Sequence, residues 1–199
     1  MSCRISRFKY LASTLVVVCL GGSGCGQDTE PPVDSAALQS YEFGGDFTLT
    51  NHFGNPFALQ DHRGEVVVLF FGYTYCPDFC PITVSKLAKV SELLEARLES
   101  VLTLFVTVDP HRDTPDQLRA YLSHFDFKIT GLTGSESRIQ GVVSMYGSSF
   151  RRGEVDAAGH YLMDHSSRTY LIDQQGKVRY LFSHEDAPEQ MAALIDQLL

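Results

Sequence analysis

The sequence is poor in basic side chains: 16 Lys and Arg stand against 24 Asp and Glu, a formal net charge of −8, with a pI near 5.3. So acidic a balance argues against nucleic acid as a partner, because phosphate binding needs a basic face. Long apolar runs are missing too. None approaches the roughly 20 residues that cross a bilayer as a helix, which excludes a polytopic membrane protein. There is no tryptophan, no internal repeat and no low-complexity tract. With 44% hydrophobic and 20% charged residues, the composition is globular, neither disordered nor fibrous. A length of 199 residues fits one domain with a short extension. Cysteine is scarce, limited to Cys3, Cys19, Cys25, Cys76 and Cys80.

Three of those five belong to a separate N-terminal module, residues 1–25. Arg4, Arg7 and Lys9 open it without an acid, an apolar run follows over 11–20, and Gly21-Gly-Ser-Gly leads into Cys25. A basic start, a short apolar run and a small-residue exit describe an export signal better than the first helix of a domain. Small residues before a Cys resemble the lipobox of bacterial lipoproteins, whose Cys is lipidated after cleavage. The match departs at Gly22, where Leu is usual. Cys25 is therefore the expected lipidation site, with simple cleavage or an uncleaved anchor as alternatives. Without residues 1–25, 13 basic residues face 24 acidic ones, a net charge of −11. Residues 26–40, rich in Gly, Pro and acids, read as a flexible tether, and 41–199 as the folded domain. The expected location is the outer face of the bacterial cytoplasmic membrane or the periplasm, held by the lipid anchor. The domain keeps only Cys76 and Cys80, separated by three residues, a spacing that in an exported protein signals redox or metal chemistry.

The domain alternates strand and helix. Phe47-Thr-Leu-Thr and Phe57-Ala-Leu read as short strands around a turn. Residues 66–73 are apolar on both faces, as in a central, doubly covered strand. After Pro81, apolar residues at Val84, Leu87, Val90, Leu94 and Leu98 predict an amphipathic helix to about Ser100. A second buried strand spans 102–108. Thr114-Pro115 starts a helix to about Phe125, and 135–146 predicts another. Residues 169–173 and 178–182 form a hairpin across Gln174-Gln-Gly-Lys. Residues 187–199 close as a helix with Met191, Leu194, Ile195 and Leu198 inward. This order predicts an α/β, thioredoxin-like fold: a central mixed sheet flanked by helices, with an N-terminal β-hairpin extension.

In that fold the Cys pair sits where the central strand enters its helix. If Cys76 opens the helix and Cys80 lies one turn on, their Cα atoms stand roughly 5–6 Å apart on one face. That suits a disulfide or a shared ion. The helix N-terminus stabilises thiolate, so at least one thiol should be acidic relative to about 8.5. Thiolate is a soft ligand that selects Cu(I) over hard cations. A purely stabilising bridge is the weaker reading, since so short a loop restrains the unfolded chain little. Two sulfurs leave Cu(I) in need of a third ligand. Of seven His, His165 in Asp164-His-Ser-Ser precedes the 169–173 strand, whose start lies beside the cysteine loop in thioredoxin-like folds. Thioredoxins usually carry a cis-proline there; this chain has Ser167.

The segments Phe47-Thr-Leu-Thr, Phe70-Phe-Gly-Tyr-Thr, Cys76-Pro-Asp-Phe-Cys80-Pro, Val108-Asp-Pro-His-Arg-Asp-Thr-Pro115, Gly131-Leu-Thr-Gly134 and Asp164-His-Ser, in this order, resemble the Sco/SenC family of copper-binding, thioredoxin-like assembly factors. The resemblance covers nearly all of 44–199. It implies metal ligation by Cys76, Cys80 and His165, a redox-active Cys76/Cys80 pair, and Asp109 as an acid near the copper that does not ligate it. It departs at Tyr75, where His is common, and at Glu65, where Lys is frequent. It implies a metallochaperone more than an enzyme. Its cargo would be copper, as Cu(I) or in the Cu(II) state. Its partners would be a copper donor protein and the copper-centre subunit of cytochrome c oxidase, whose dinuclear centre it would load or whose cysteines it would reduce. An exported thiol–disulfide oxidoreductase and a thiol peroxidase are the alternatives. The first ordinarily carries Cys-x-x-Cys, one residue shorter, and the second gives His165 no task. For Asp109-Pro-His-Arg-Asp-Thr-Pro the plain structural reading is a strand-to-helix turn, with Thr114 or Asp113 capping and Arg112 paired to Asp113 at the surface.

Overall fold

A computed structural model describes residues 38–199; the export signal, Cys25 and nearly all of the tether lie outside them. The β-strands β1 (Thr48–Asn51) and β2 (Pro56–Ala58) form the expected N-terminal hairpin. Then come β3 (Val66–Gly72), α1 (Phe79–Leu94), β4 (Val101–Thr107), α2 (Pro115–Leu122), β5 (Thr130–Thr133), α3 (Glu136–Met145), β6 (Phe150–Arg152), β7 (Met163–His165), β8 (Thr169–Ile172), β9 (Val178–Phe182) and α4 (Pro188–Asp196). Seven strands form one sheet in the order β2-β1-β5-β4-β3-β8-β9, and β6 pairs with β7 alone. The pairings β3–β4 and β4–β5 are parallel, whereas β3–β8, β8–β9 and β1–β5 are antiparallel. This is the mixed, helix-flanked sheet of a thioredoxin-like fold.

Every residue of β3 and β4 is buried, as strands covered on both faces require. On one face Val68 lines a small gap together with Leu87 and Leu94 of α1 and Ile195 of α4. Beside it Phe70 packs edge-on to Phe105, which in turn meets Tyr121 of α2. Phe71 points to the opposite face and packs on Tyr146, at the C-terminus of α3. At the end of β3 a Cβ on Gly72 would stand 2.7 Å from the Phe70 ring and 2.9 Å from that of Phe105. Only glycine lets the chain leave the core there and enter the cysteine turn.

The helix α1 differs from its predicted span at both ends. It begins at Phe79, so Pro81 is its third residue, where a missing N–H costs no intrahelical bond. It stops at Leu94, because Glu95 takes φ 50°, and residues Glu95–Ser100 continue as 3-10 turns. Thr114 caps α2 by accepting from the Gln117 N–H at 3.2 Å, with Pro115 as its first residue. Strands β5, β6 and β7 are additions to the sequence reading. At the far edge, the Gln39 N–H donates to the Arg179 carbonyl at 2.9 Å and the Tyr41 N–H to that of Val178 at 3.1 Å. Among the described residues no helix is long and apolar enough to cross a membrane.

His52 joins the β1 hairpin to β5. Its backbone N–H donates to the Gly131 carbonyl at 2.8 Å, and its buried Nδ1 accepts from the Gly131 N–H at 2.9 Å. Only a neutral ring can accept there, and burial lowers the imidazole pKa below its ordinary value. The unfolded chain, titrating near about 6.5, therefore takes a proton that the folded chain refuses. This contribution is complete above about pH 6.5 and is lost as pH falls toward the depressed folded value. His52→Gln should flatten that part of the profile between about pH 7.5 and about pH 5.5. Denaturant midpoints with the same pH dependence in both proteins would refute this.

Candidate metal centre

The cysteine turn hangs from the end of β3. The Cys76 N–H donates to the Tyr73 carbonyl at 3.2 Å. Cys76 thus lies in the turn before α1, not at the helix's first residue as the sequence reading has it. Its sulfur takes over the capping role: the Cys80 N–H, in the first turn of α1, donates to Cys76 Sγ at 3.4 Å. Asp78, at the N-cap position, makes no side-chain cap bond. Both thiols are free; Cys80 is fully buried and Cys76 half-buried.

The two sulfurs are chemically unequal. Cys76 is held well below the ordinary thiol range by the Cys80 thiol donating to it, with further help from His165 and the backbone N–H groups of Asp78 and Cys80, against the opposing effect of burial. Cys80 is pushed up, because it is the donor of that bond and because it is buried. The acidic, accessible thiol is therefore Cys76.

His165 ends β7 and reaches across to the turn. Its Nδ1 lies 2.9 Å from the Ser166 carbonyl, which can only accept, so Nδ1 carries the proton. The other ring nitrogen, Nε2, faces Cys80 Sγ at 3.9 Å. The ring also packs edge-on against Tyr73, with centroids 5.8 Å apart. The fold thus brings together all three residues picked from the sequence. Among the described residues no three His, Cys, Asp or Glu groups stand in a finished ligating array. The separation nevertheless suits a shared ion: bonds of about 2.3 Å to sulfur and about 2.0 Å to nitrogen would subtend roughly 130° across it. Two thiolates and an imidazole whose outer nitrogen is fixed by a carbonyl form a soft donor set with its tautomer already chosen.

Asp109 is buried, pairs with Arg112 Nε, and accepts from the Tyr161 hydroxyl at 3.0 Å. Neither of its carboxylate oxygens bonds a thiol or His165 among the described residues; the carboxylate approaches the cysteine turn through Arg112. The surface pair of Arg112 with Asp113 is not formed. Asp113 is fully buried and accepts from the Thr74 N–H at 3.0 Å, and from the Thr74 and Thr107 hydroxyls at 2.6 Å each. Burial raises its pKa against those three bonds. Asp113 ties the cysteine turn to β4, a task missed in the sequence, where it is one of two acids beside an arginine. A cavity of about 700 Å³ is lined by Arg151, Arg152, His160 and Tyr161 among others, and neither thiol nor His165 lines it. The chemistry lies at the converging side chains instead.

The SCO1/SenC family model matches residues 35–199. An SCO2-like protein of Rickettsia felis is 39% identical over 152 residues, covering 75% of this chain and 74% of that protein. Bradyrhizobium japonicum ScoI, solved with copper bound, is 34% identical with a TM-score of 0.74, covering 79% of this chain and 99% of that one. A structure described as a SCO1/SenC family lipoprotein from Bacillus anthracis is 27% identical with a TM-score of 0.70, covering 81% and 96%. With the match running through the cysteine turn, the Asp109 turn and the His165 strand alike, the chain belongs to the SCO1/SenC family.

Proposed function

We propose that this protein binds one Cu(I) through Cys76, Cys80 and His165 and serves the assembly of the dinuclear copper centre of cytochrome c oxidase. The observation that carries the reading is the placement of His165, whose Nδ1 is taken up by the Ser166 carbonyl and whose Nε2 stands 3.9 Å from the buried Cys80 sulfur. Copper is cargo here, not a resident cofactor. Cys80 is the sheltered ligand, Cys76 and His165 are half-buried, and the acidic Cys76 is the ligand from which exchange with an acceptor would begin. The same asymmetry suits two-electron reduction of an acceptor disulfide. Cys76 thiolate attacks one acceptor sulfur, breaking the acceptor S–S bond and releasing the other sulfur as a thiol; Cys80, losing its proton, then attacks Cys76 Sγ of the mixed disulfide and releases the first acceptor sulfur, leaving the Cys76–Cys80 disulfide and two acceptor thiols. Copper content of the reduced protein and X-ray absorption of the bound ion test the reading. One copper per chain, with two sulfur neighbours and one nitrogen neighbour, is expected; a copper without sulfur neighbours overturns it.

We also propose that the chain is exported and lipidated at Cys25. The supports are the charge step across residues 1–25 and the likeness to the Bacillus anthracis family member described as a lipoprotein. A diacyl anchor supplies two chains, enough for stable attachment where one is marginal. The protein should fractionate with membranes, and Cys25→Ala should alter its processing. An unmodified mature N-terminus beyond Cys25, read by mass spectrometry, rules the anchor out.

A further inference from the structure

The two halves of the proposed site belong to different sheets. Cys76 stands on the turn between β3 and α1 and Cys80 in the first turn of α1, both following the seven-stranded sheet, whereas His165 ends the short β6–β7 pair. Besides the approaches of Cys76 and Cys80 to His165 and the contacts of Tyr73 with the His165 ring and the Met163 backbone, Arg112 also touches both sides. The Arg112 guanidinium lies 3.6 Å from the Tyr161 ring centroid and donates Nη1 to the Tyr161 carbonyl at 3.0 Å. Tyr161 lies two residues before β7. The same guanidinium stands 4.7 Å from the Tyr75 ring and 5.8 Å from the Tyr73 ring, both in the cysteine turn. Asp109, paired with Arg112 and bonded by the Tyr161 hydroxyl, fixes its direction. Arg112 Nη2 is buried without a hydrogen-bond partner among the described residues. An unpaired buried N–H is unfavourable, so the placement is held by the stacking and by the other two nitrogens.

We propose that Arg112 is a positioning residue that clamps the His165 strand against the cysteine turn and so holds the imidazole within reach of copper; this rests on the copper reading above. The flat guanidinium is required, since it stacks on an aromatic ring while donating sideways in two directions. A lysine would keep the charge beside Asp109, but its donors radiate from a single nitrogen and it has neither the flat face nor the fixed fork that reaches Asp109 and the Tyr161 carbonyl together.

The test uses the reduced full-length protein with one equivalent of Cu(I), followed by X-ray absorption and competition with a chromophoric Cu(I) chelator. Arg112→Met and Arg112→Lys should both retain two sulfur neighbours, lose the nitrogen neighbour, and bind about 10–100-fold more weakly. In a His165→Ala background, Arg112→Met should cost nothing further, because its effect passes through the imidazole. Tyr161→Leu, which removes the stacking surface from the hairpin side, should reproduce the effect and decides the matter if the Arg112 variants fail to fold. An unchanged nitrogen neighbour, or an equal loss in the His165→Ala background, overturns the proposal. A wild-type protein that takes up no copper, or holds it without nitrogen, overturns the copper reading itself and this inference with it.

Discussion

Cys76→Ser and Cys80→Ser are each expected to abolish tight Cu(I) binding, the largest effect of any single substitution in this chain. Four-ligand thiolate and imidazole sites bind structural zinc with apparent free energies of about 10–16 kcal/mol, or about 2.5–4 kcal/mol per ligand. Losing one of two thiolates therefore costs on the order of a hundredfold, and more for a soft ion that a serine hydroxyl serves poorly. The two variants should differ in other respects. Cys76→Ser also replaces the acceptor of the Cys80 N–H at the start of α1, so it should loosen the turn. Cys80→Ser places a hydroxyl in a fully buried position next to His165 Nε2, to which it can donate. Chelator competition on the reduced proteins measures both, and retention of wild-type affinity by either variant would remove that cysteine from the site.

Oxidation should have an effect of the same order. A Cys76–Cys80 disulfide carries no thiolate, so the oxidised protein should not hold Cu(I) through sulfur. By linkage, copper then protects the dithiol. A ligand at a thousand times its dissociation constant stabilises the form it binds by about 4.1 kcal/mol, which for a two-electron couple is about 90 mV. The midpoint potential of the pair should thus rise by about that amount when Cu(I) is present. Redox titration of the thiols with and without Cu(I) makes the comparison. Identical potentials in the two titrations would show that copper and the disulfide do not compete for the same sulfurs.

The parts of the fold legible in the sequence are those in which one physical signal dominates. The strands β3 and β4 are apolar runs with no polar face, and α2 carries a capping Thr followed by Pro. The strand β5 escapes because Thr130-Gly-Leu-Thr is four residues long and contains Gly131, whose Cβ would meet Leu122 at 2.7 Å. The strands β6 and β7 escape because neither alternates: Phe150-Arg-Arg is mostly exposed and Met163-Asp-His carries two polar residues. Helix α1 starts early because Pro81 reads as a boundary although the first turn tolerates it.

The same division runs through the site. Cys76, Cys80 and His165 are legible because their chemistry is rare and the topology brings them together. The second tier is not. In Asp109-Pro-His-Arg-Asp, two carboxylates flank one guanidinium, and charge alone does not tell which acid it pairs with. The choice is made in three dimensions. Thr74 and Thr107 hydroxyls, 39 and 6 residues from Asp113, converge on it and leave Asp109 to Arg112. Tyr161 enters the same cluster from a segment whose pairing with β6 has no local signature.

The short stretch at 39–41 that lies along β9 has a consequence for colloidal behaviour. A sheet ending in an open strand offers a row of free N–H and C=O groups to any neighbouring chain, the usual seed of fibrous association. Here Gln39 and Tyr41 already occupy part of that row, and Arg179 Nε returns a bond to the Gln39 carbonyl at 2.6 Å. The opposite margin is β2, three residues long with Pro56 at its start, and it presents little backbone to copy. With both margins blunted, the domain can be crowded among copies of itself with little tendency to stack edge to edge.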